Sequence, residues 1–426
     1  MKTIKVIIVG YGNRGQVYAD YALQTKDEIE IVGIVDPDCL KLQEAKLRYG
    51  LTDDKLFKDW KALLDAKVKA DLVVNATMDQ IHYETCIDIL NAKYDMLVEK
   101  PIVNNEHDLL DIANLAKKNN CQVFVCHVLR YTPFYRLIKQ TIKNNEIGNI
   151  ISLEMNEHVW IPHYLTSYDR GKWNSEDSCG SGLLLAKCCH DLDLISWLNN
   201  ETKPRDVVSF GSRSLFVPQN KPEDAADYCY NCKHQKNCIY NATELYLDCD
   251  PMPFLTWSRI NKPLEEITKK EKAEFLKKDI FGKCAYDCGG NIVDRQNLLI
   301  NFDNGSICSF SLIAGSTKAD RYIHVVGTKG EIEGKIESNK VTIRKYVGPC
   351  KFTEDVIDLN NEVINKAQFG GHSGGDFMIM HDIVRYLNGD KSSISITSID
   401  DSIRGHLLVY AAEKSRKTHV IVPLEF

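Results

Sequence analysis

The sequence lacks any uninterrupted apolar run of the roughly 20 residues that a membrane-spanning helix needs. Its first residues, MKTIKVIIVGYG, lead from a short apolar run straight into a glycine turn, without the small-residue cleavage site of a secretory signal. The sequence also lacks an excess of basic residues: it has 53 Lys and Arg and 59 Asp and Glu, which gives a net charge of −6. We therefore expect no membrane partner and no nucleic-acid partner.

Cysteine is present at 15 positions, an odd number in a chain of 426 residues. Secreted disulfide scaffolds are usually small and far denser in cysteine. Because no secretory signal is visible either, we expect a cytoplasmic protein whose cysteines are buried thiols or metal ligands. Apolar residues at 44% and charged residues at 26% are ordinary for a globular chain with a full core.

Strand-like and helix-like segments alternate through residues 1–126. The runs IKVIIVG, IEIVGIVD, ADLVVNAT, DMLVEKP and QVFVCHV read as strands buried on both faces, with helical segments between them. This alternation predicts an α/β fold, a Rossmann-type doubly wound parallel sheet. Residues 127–426 instead predict an α+β domain with a large, mainly antiparallel open sheet. The cysteine-containing segment of about residues 211–290 is predicted to be an insertion in that sheet.

The segment VGYGNRG carries three glycines in the order G-x-G-x-x-G between a predicted strand and a predicted helix. Gly10 would make the tight turn, Gly12 would let a pyrophosphate approach the backbone, and Gly15 would allow the helix to pack closely on the strand. Asp36, at the end of the second strand, would bind the ribose hydroxyls of NAD and repel the 2′-phosphate of NADP. We therefore predict NAD rather than NADP, against the alternative of a glycine turn without a ligand. The predicted cofactor-binding residues are Gly10, Tyr11, Gly12, Asn13, Arg14, Gly15, Asp36, Thr77, His82, Glu99 and Lys100.

Several motifs occur in an order that makes the sequence resemble the Gfo/Idh/MocA oxidoreductase family. They are VGYGNRG, VVNATMDQIH and VEKP in the first domain, then LRYTPFY and HDLD in the second. The resemblance extends over nearly the whole chain. It implies a nucleotide domain followed by an open-sheet domain, with NAD(P) between them. It also implies sugars, inositols or their derivatives as substrates, and dimers or tetramers formed through the open face of the sheet.

By this resemblance Lys100 is the catalytic lysine, and His190 shares the acid–base work. Oxidation of an alcohol by NAD needs a base for the hydroxyl proton while hydride leaves the carbon, which agrees with both assignments. Many family members carry an Asp four residues before the histidine, where this sequence has Ala186. Lys187 is the nearest ionisable group and would share a helix face with His190, so we predict it to be catalytic too. This departure suggests that the protein has a substrate preference of its own, for instance for a carboxylate. The alternative for His190 is a histidine of the core, and the alternative for Lys187 is a surface residue.

The segment EHVWIPHYLTSYDRGKWN mixes apolar surface with polar groups, as a sugar pocket would. His163 belongs to this mixture. Arg130, in an Arg-Tyr pair that resembles the family's, has a structural role as its alternative. His372 lies in a glycine-rich loop before a helix, where it could close over a substrate. The predicted substrate-binding residues are Arg130, His158, Arg170, Trp173 and His372.

Three cysteines in DYCYNCKHQKNCIYNA have the spacing of metal ligands. Cys229 and Cys232 form a C-x-x-C pair, and Cys238 follows after five residues. A closed structural zinc site needs four ligands. We predict Cys284 as the fourth, in preference to Cys288, His234 or Cys249, because the metal would then clamp both ends of the insertion. The pattern resembles a cysteine-bearing subgroup of the family; reduced thiols without metal and a redox disulfide remain alternatives.

The function that these residues favour is transfer of a hydride between the nicotinamide and a hydroxyl-bearing carbon of a sugar, polyol or sugar acid. The first alternative is an NAD-dependent glycoside hydrolase or epimerase that oxidises its substrate transiently and then eliminates. The second is a non-catalytic sensor of NAD or sugar, against which the presence of Lys100 and His190 argues. A zinc-knuckle nucleic-acid module is disfavoured by the acidic net charge.

Overall fold

The computed structural model describes residues 1–25, 27–362 and 371–425. These residues form two β-sheets of six and nine strands. In the first sheet the strands are β1 (Ile4–Val9), β2 (Ile29–Val35), β3 (Leu56–Phe57), β4 (Leu72–Asn75), β5 (Met96–Val98) and β6 (Val123–Val125). In the second they are β7 (Ile150–Trp160), β8 (Pro204–Ser212), β9 (Arg295–Phe302), β10 (Ile307–Ser316), β11 (Tyr322–Gly327), β12 (Gly330–Lys335), β13 (Lys340–Gly348), β14 (Lys351–Asp358) and β15 (Val422–Pro423).

The first sheet is parallel throughout, in the order β3-β2-β1-β4-β5-β6. Its strands are almost entirely buried, as expected for continuous apolar runs covered by helices on both faces. The strand order reverses between β1 and β4, so the crevice at the carboxyl ends of these two strands is the expected place for a ligand. The predicted doubly wound parallel sheet is therefore confirmed. Its helices are Asn13–Ala19, Tyr21–Gln24, Cys39–Tyr49, Trp60–Asp65, His82–Asn91 and Glu106–Asn119.

The second sheet is mixed and mostly antiparallel, in the order β14-β13-β12-β11-β7-β10-β9-β8-β15. Strands β7 and β10 pair in parallel, and the other pairs are antiparallel. A tight turn joins β9 to β10, with Gly305 at φ +83°. Alternate residues of these strands are buried against helices, which leaves the other face accessible and confirms the predicted open sheet. Helices of this domain include Pro133–Lys143, Ile161–Tyr164, Glu176–Cys179, Leu183–Ala186, Cys189–Leu198 and Ile399–Thr418.

The chain between β8 and β9 is built from short helices, at Ala242–Glu244, Pro253–Thr256 and Lys269–Leu276. It has an apolar cluster of its own, in which Tyr246, Trp257 and Phe281 are buried. Within the described ranges, no helix combines the length and apolar character that crossing a bilayer would take.

A helix from the end of the chain completes the core of the first sheet. Residues of the helix Gly375–Leu387, among them Ile379 and Ile383, are buried in the same cluster as Val6 and Ile8 of β1. The first sheet is therefore covered partly by residues that follow strand β14 of the second sheet in the sequence.

A fully buried arginine ties the end of the first sheet to two helices of the second domain. Arg130 forms a bidentate pair with Asp193, at 2.7 Å from Nε to Oδ2 and 2.6 Å from Nη2 to Oδ1. Its Nη1 donates to Asp401. Both Arg130 and Asp193 have no exposed surface, so each charge depends on the other for compensation.

We predict that Arg130→Ala lowers the free energy of unfolding by about 3–5 kcal/mol, because it leaves the Asp193 carboxylate buried without its partner. Urea unfolding followed by circular dichroism measures the change. The matched control is Arg385→Ala, which removes a half-exposed pair with Asp390 and should cost no more than about 1 kcal/mol. Equal losses in the two variants would contradict a structural role for Arg130.

Candidate active site

The glycine turn after β1 leaves room for a ligand at one glycine and none at the other two. A Cβ on Gly10, which has φ +91°, would lie 2.5 Å from the carbonyl oxygen of Ala76, and a Cβ on Gly15 would lie 2.0 Å from that of Gly10. A Cβ on Gly12 would meet no heavy atom within 4 Å. The helix Asn13–Ala19 begins directly after this opening, with its free N–H groups directed toward it. These residues fit the pyrophosphate of a dinucleotide.

Asp36 lies at the end of β2, beside the glycine turn. Its Oδ2 accepts the backbone N–H of Tyr11 at 2.9 Å, and its Oδ1 accepts that of Asp38 at 2.9 Å. The carboxylate is thus fixed at the sheet edge where a ribose would sit next to the pyrophosphate. Tyr11 contributes through its backbone, since its ring is buried and its hydroxyl donates to Tyr49.

Thr77 and His82, both predicted to contact the cofactor, have different positions. Thr77 lines the cleft, where its hydroxyl donates to Asn75 at 2.8 Å. His82 is fully buried behind the cleft, with Nδ1 2.8 Å from the carbonyl oxygen of Pro101 and Nε2 3.1 Å from that of Thr77. It therefore holds together the two loops that border the cofactor site.

Arg14 joins two carboxylates at the base of the cleft. Its Nε lies 2.6 Å from Oε1 of Glu99, and its Nη2 lies 2.9 Å from Oδ1 of Asp376. The second oxygen of Glu99 accepts the backbone N–H of Lys100 at 2.9 Å. Burial alone would raise the pKa of Glu99, but Arg14 and Lys100 outweigh it and lower that pKa below its usual value. Glu99 therefore stays charged and orients the backbone of Lys100.

Lys100 spans the cleft between the two sheets. It follows β5, its peptide bond to Pro101 is cis, and its Nζ donates to the carbonyl oxygen of Ala186 at 3.1 Å. Ala186 occupies the position at which the family resemblance leads us to expect an aspartate. The amine of Lys100 therefore contacts a backbone carbonyl oxygen here, where an aspartate would offer a carboxylate.

Lys187 and His190 both line the same cleft, although the helix predicted to carry them is interrupted. The chain forms the helices Leu183–Ala186 and Cys189–Leu198, and Lys187 lies in the turn between them. Its Nζ lies 3.4 Å from Oε1 of Glu157, on β7. Lys100, Lys187 and His190, the three predicted catalytic residues, are thus brought to one cavity.

His190 is held as a neutral imidazole. Burial, and after it the positive charges of Lys100 and neighbouring imidazoles, lowers its pKa well below the usual range. Its Nδ1 has no hydrogen-bond partner among the described residues. The ring lies beside those of His127 and His372, with centroids 5.6 and 6.4 Å away. A neutral histidine in this place can accept a proton.

His372 lies at the rim of the cleft, just before the helix Gly375–Leu387. Its Nδ1 is 3.1 Å from the carboxylate oxygens of Asp376, the same group that receives Arg14. The side chain is half-exposed and lines the cavity. His372 therefore lies in the cleft, and its role in binding a substrate stays a prediction.

Trp173 is a second predicted substrate-binding residue that lines the cleft. Its Nε1 donates to Asp79 at 3.3 Å, and the ammonium of Lys172 lies 4.1 Å from the centroid of its ring. An indole face beside polar groups is a suitable wall for a sugar ring.

Three other predicted substrate-binding residues lie away from the cleft. Arg130 belongs to the buried pair with Asp193. Arg170 is fully buried and donates to the carbonyl oxygens of Lys283 and Tyr240, so it pins the insertion to the sheet domain. His158 points to the open face of the second sheet, because side chains alternate along β7 and the neighbouring Glu157 faces inward.

The prediction of zinc finds no support in the structure. Cys229, Cys232, Cys238 and Cys284 do line one cavity in the insertion, and all are free thiols. Yet in residues 1–25, 27–362 and 371–425, no group of three or more Cys, His or acidic side chains is arranged to hold a metal ion. The sulfur of Cys229 lies instead 4.0 Å from Nη2 of Arg170.

Three charged residues that line the cleft, Asp79, Lys172 and Arg321, were not predicted as site residues from the sequence. Glu157, which is buried behind Arg321, was not predicted either. Glu157 had a detectable signal, because it occupies an inward position of β7 between the buried Met155 and Val159. A carboxylate at such a position requires a buried cation, and Arg321 is that cation, 2.5 Å away between Nε and Oε2.

We predict that Gly12→Val weakens NADH binding at least tenfold while the protein stays folded. The backbone of Gly12 has φ −80°, which any residue adopts, and the new side chain would fill the space left for the pyrophosphate. NADH titration by fluorescence and a thermal unfolding curve measure the two effects. Gly50→Val is the control: its Cβ would also meet no atom within 4 Å, so only the strain of φ +65° should appear, with NADH affinity unchanged. An unchanged NADH affinity in Gly12→Val would disprove this location.

Two protein-family models match the chain. One, described as an oxidoreductase family with an NAD-binding Rossmann fold, matches residues 4–127. The other, described as the C-terminal alpha/beta domain of the oxidoreductase family, matches residues 139–424.

Curated relatives include the putative oxidoreductase YteT of Bacillus subtilis, 25% identical over 325 residues, which are 74% of this chain and 72% of that protein. The inositol 2-dehydrogenase of Salmonella typhimurium is 23% identical over 218 residues, or 50% of this chain and 60% of that enzyme.

Solved structures share the fold over the whole chain. Levoglucosan dehydrogenase in complex with NADH and levoglucosan has a TM-score of 0.69 at 16% identity, and each chain is covered completely. The WlbA dehydrogenase of Bordetella pertussis, in complex with NADH and UDP-GlcNAcA, has a TM-score of 0.67 at 17% identity, with 100% of this chain and 99% of that chain covered. The two family models together span most of the sequence, and the protein belongs to the Gfo/Idh/MocA family of NAD-binding oxidoreductases.

Proposed function

We propose that the protein transfers a hydride between NAD and a hydroxyl-bearing carbon of a sugar, polyol or sugar acid. The observation that carries this proposal is the position of Lys100. Its amine reaches across the cleft to the carbonyl oxygen of Ala186, beside the neutral imidazole of His190. The glycine turn and Asp36 border the same cleft from the side of the first sheet. The inositol and levoglucosan dehydrogenases among its relatives and neighbours are consistent with a polyhydroxylated substrate.

The hydride and the proton of the substrate are accepted by different groups. NAD, when bound, accepts the hydride from the carbon. The hydroxyl proton passes to Lys100 in its amine form or to His190, which is an unprotonated imidazole whose Nδ1 has no hydrogen-bond partner among the described residues. Arg14 and Glu99 do not take part in the transfer; they hold the backbone of Lys100 in place. In the reverse direction the same two groups would return the proton to the carbonyl oxygen.

The same residues would serve a redox-neutral hydrolase or epimerase, in which a transient oxidation acidifies the neighbouring C–H bond. Accumulation of NADH separates the two reactions. A dehydrogenase produces one NADH for each substrate oxidised, whereas a hydrolase or epimerase returns the hydride and releases an altered sugar without net NADH. We favour net oxidation, and a panel of sugars and inositols followed by NADH absorbance tests it.

We predict that Lys100→Met lowers kcat by about 10²–10⁴, the range expected for loss of a general base, while NADH binding is retained. Steady-state rates and NADH titration measure the two quantities. The control is Lys345→Met, which changes an exposed lysine on β13 that pairs with Glu146. Full activity in Lys100→Met would refute the role given to its amine.

We propose also that the open face of the second sheet joins copies of this chain. Three apolar side chains on adjacent strands project from that face, namely Phe210, Leu299 and Ile313, with 65, 61 and 39% of their surface exposed. Large apolar side chains exposed on one face of a sheet are typical of a protein–protein contact. It matches the dimers or tetramers expected from the family resemblance.

The expected result is a dimer or tetramer for the unaltered protein and a monomer for the double variant Phe210→Glu with Leu299→Glu. Size-exclusion chromatography with light scattering measures the mass. Leu47→Glu places a glutamate on a still more exposed leucine, in the helix Cys39–Tyr49, and should leave the assembly intact. A monomeric unaltered protein would overturn this assignment.

A further inference from the structure

The substrate side of the cleft presents positively charged side chains. Lysine and arginine residues line it from several elements, namely Lys100, Lys172, Lys187 and Arg321. Among the described residues that line the cavity, the carboxylates are Asp79 and Glu99. Glu99 is already bound to Arg14, and Asp79 accepts the indole N–H of Trp173. A ligand in this cavity therefore meets more cationic donors than anionic acceptors.

Arg321 lines the cavity, and two carboxylates hold its guanidinium through Nε. Its Nε lies 2.5 Å from Oε2 of Glu157 and 2.9 Å from Oδ1 of Asp191. Both carboxylates are buried behind it, and neither lines the cavity. In the part of the chain that the structure describes, Nη1 and Nη2 have no hydrogen-bond partner. The guanidinium is thus fixed through one edge, with the donors of its other edge unused.

Lys187 strengthens the positive charge on the same wall. Its Nζ lies 3.4 Å from the other oxygen of Glu157, so Lys187 and Arg321 share one buried carboxylate. His163 responds to these charges: burial first, and then the repulsion of Lys187 and Arg321, lowers its pKa to about 3. The imidazole is neutral as a result and adds no charge of its own to the wall.

A planar fork of unused N–H donors is the geometry that binds a carboxylate with two parallel hydrogen bonds. A neutral polyol can also accept hydrogen bonds from these donors, but a carboxylate accepts them with its own negative charge, and such charge-assisted hydrogen bonds are roughly twice as strong as neutral ones. From these contacts we infer that the substrate carries a carboxylate, and that Arg321 and Lys187 bind it. This inference rests on the proposed function and narrows its substrate to a sugar acid.

The buried carboxylates of Glu157 and Asp191 stabilise the positive charges of Lys187 and Arg321 when no ligand is bound. Glu157 and Asp191 neutralise Arg321 and Lys187 from behind, which lowers the free-energy cost of keeping two cations in a partly buried wall. A substrate carboxylate would add hydrogen bonds to the unused edge of Arg321 without displacing the acids. Arg321 and Lys187 are therefore specificity-determining residues in this proposal, apart from the proton transfer at Lys100.

The test compares matched pairs of acidic and neutral sugars: glucuronate with glucose, galacturonate with galactose, and gluconate with glucitol. Turnover is followed with NAD, and binding is measured in parallel by titration calorimetry on the NADH-loaded protein. We expect the acids to have at least tenfold higher kcat/KM or affinity than their neutral partners. Arg321→Lys, which keeps the charge but removes the fork, and Lys187→Met should each raise KM or Kd for the acid at least tenfold.

A matched control and a second readout keep the outcomes distinct. Arg344→Lys alters another arginine that pairs with glutamates: it lies on β13, contacts Glu331 and Glu333 of β12, and should leave every constant unchanged. The melting temperature of each variant shows whether it is folded. Equal treatment of acidic and neutral sugars by the unaltered protein, in both turnover and binding, overturns the carboxylate inference but leaves the proposed oxidation intact. Absence of NAD binding and of turnover with every sugar would instead sink the proposed function.

Discussion

The two salt bridges that Arg14 forms, with Glu99 and with Asp376, connect three distant parts of the chain. Arg14 follows the glycine turn, Glu99 ends β5, and Asp376 lies in the first turn of the helix Gly375–Leu387. A guanidinium between two buried carboxylates is stable only when all three groups are held at hydrogen-bonding distance. Formation of the two salt bridges therefore fixes the glycine turn and the backbone of Lys100 relative to one another. His372 is fixed as well, because its imidazole contacts Asp376.

The parallel sheet was predictable because strands buried on both faces are written as continuous apolar runs. β1, β2, β4, β5 and β6 all follow from such runs. β3, Leu56–Phe57, was not predicted, since two residues are too few to show any periodicity. The glycine spacing and the E-K-P motif also predicted the cleft. Each is a local signal, because the residues of each motif are neighbours in sequence as well as in space.

Residues that act through distant partners were harder to predict. Arg130 and Arg170 look like pocket residues in the sequence, but both are buried by partners far along the chain, Asp193 and Lys283 among them. His158 was expected in the cleft, and the alternation along β7 turns it to the other face. Arg321 was missed because its importance comes from Glu157 and Asp191, which no short motif connects. The spacing of Cys229, Cys232 and Cys238 is a local feature of the sequence. A metal site also requires four ligand side chains to meet in space, which local spacing does not determine.

The helix Gly375–Leu387 has a consequence for how the protein is synthesised. Ile379 and Ile383 fill the core beneath β1, so the nucleotide-binding sheet retains an uncovered apolar surface until most of the chain has left the ribosome. Contacts between residues so far apart in sequence form late and carry a large loop-closure entropy. The first sheet is therefore completely covered only when residues 375–387 are present, and the same helix carries Asp376, which holds Arg14 and His372 at the cleft.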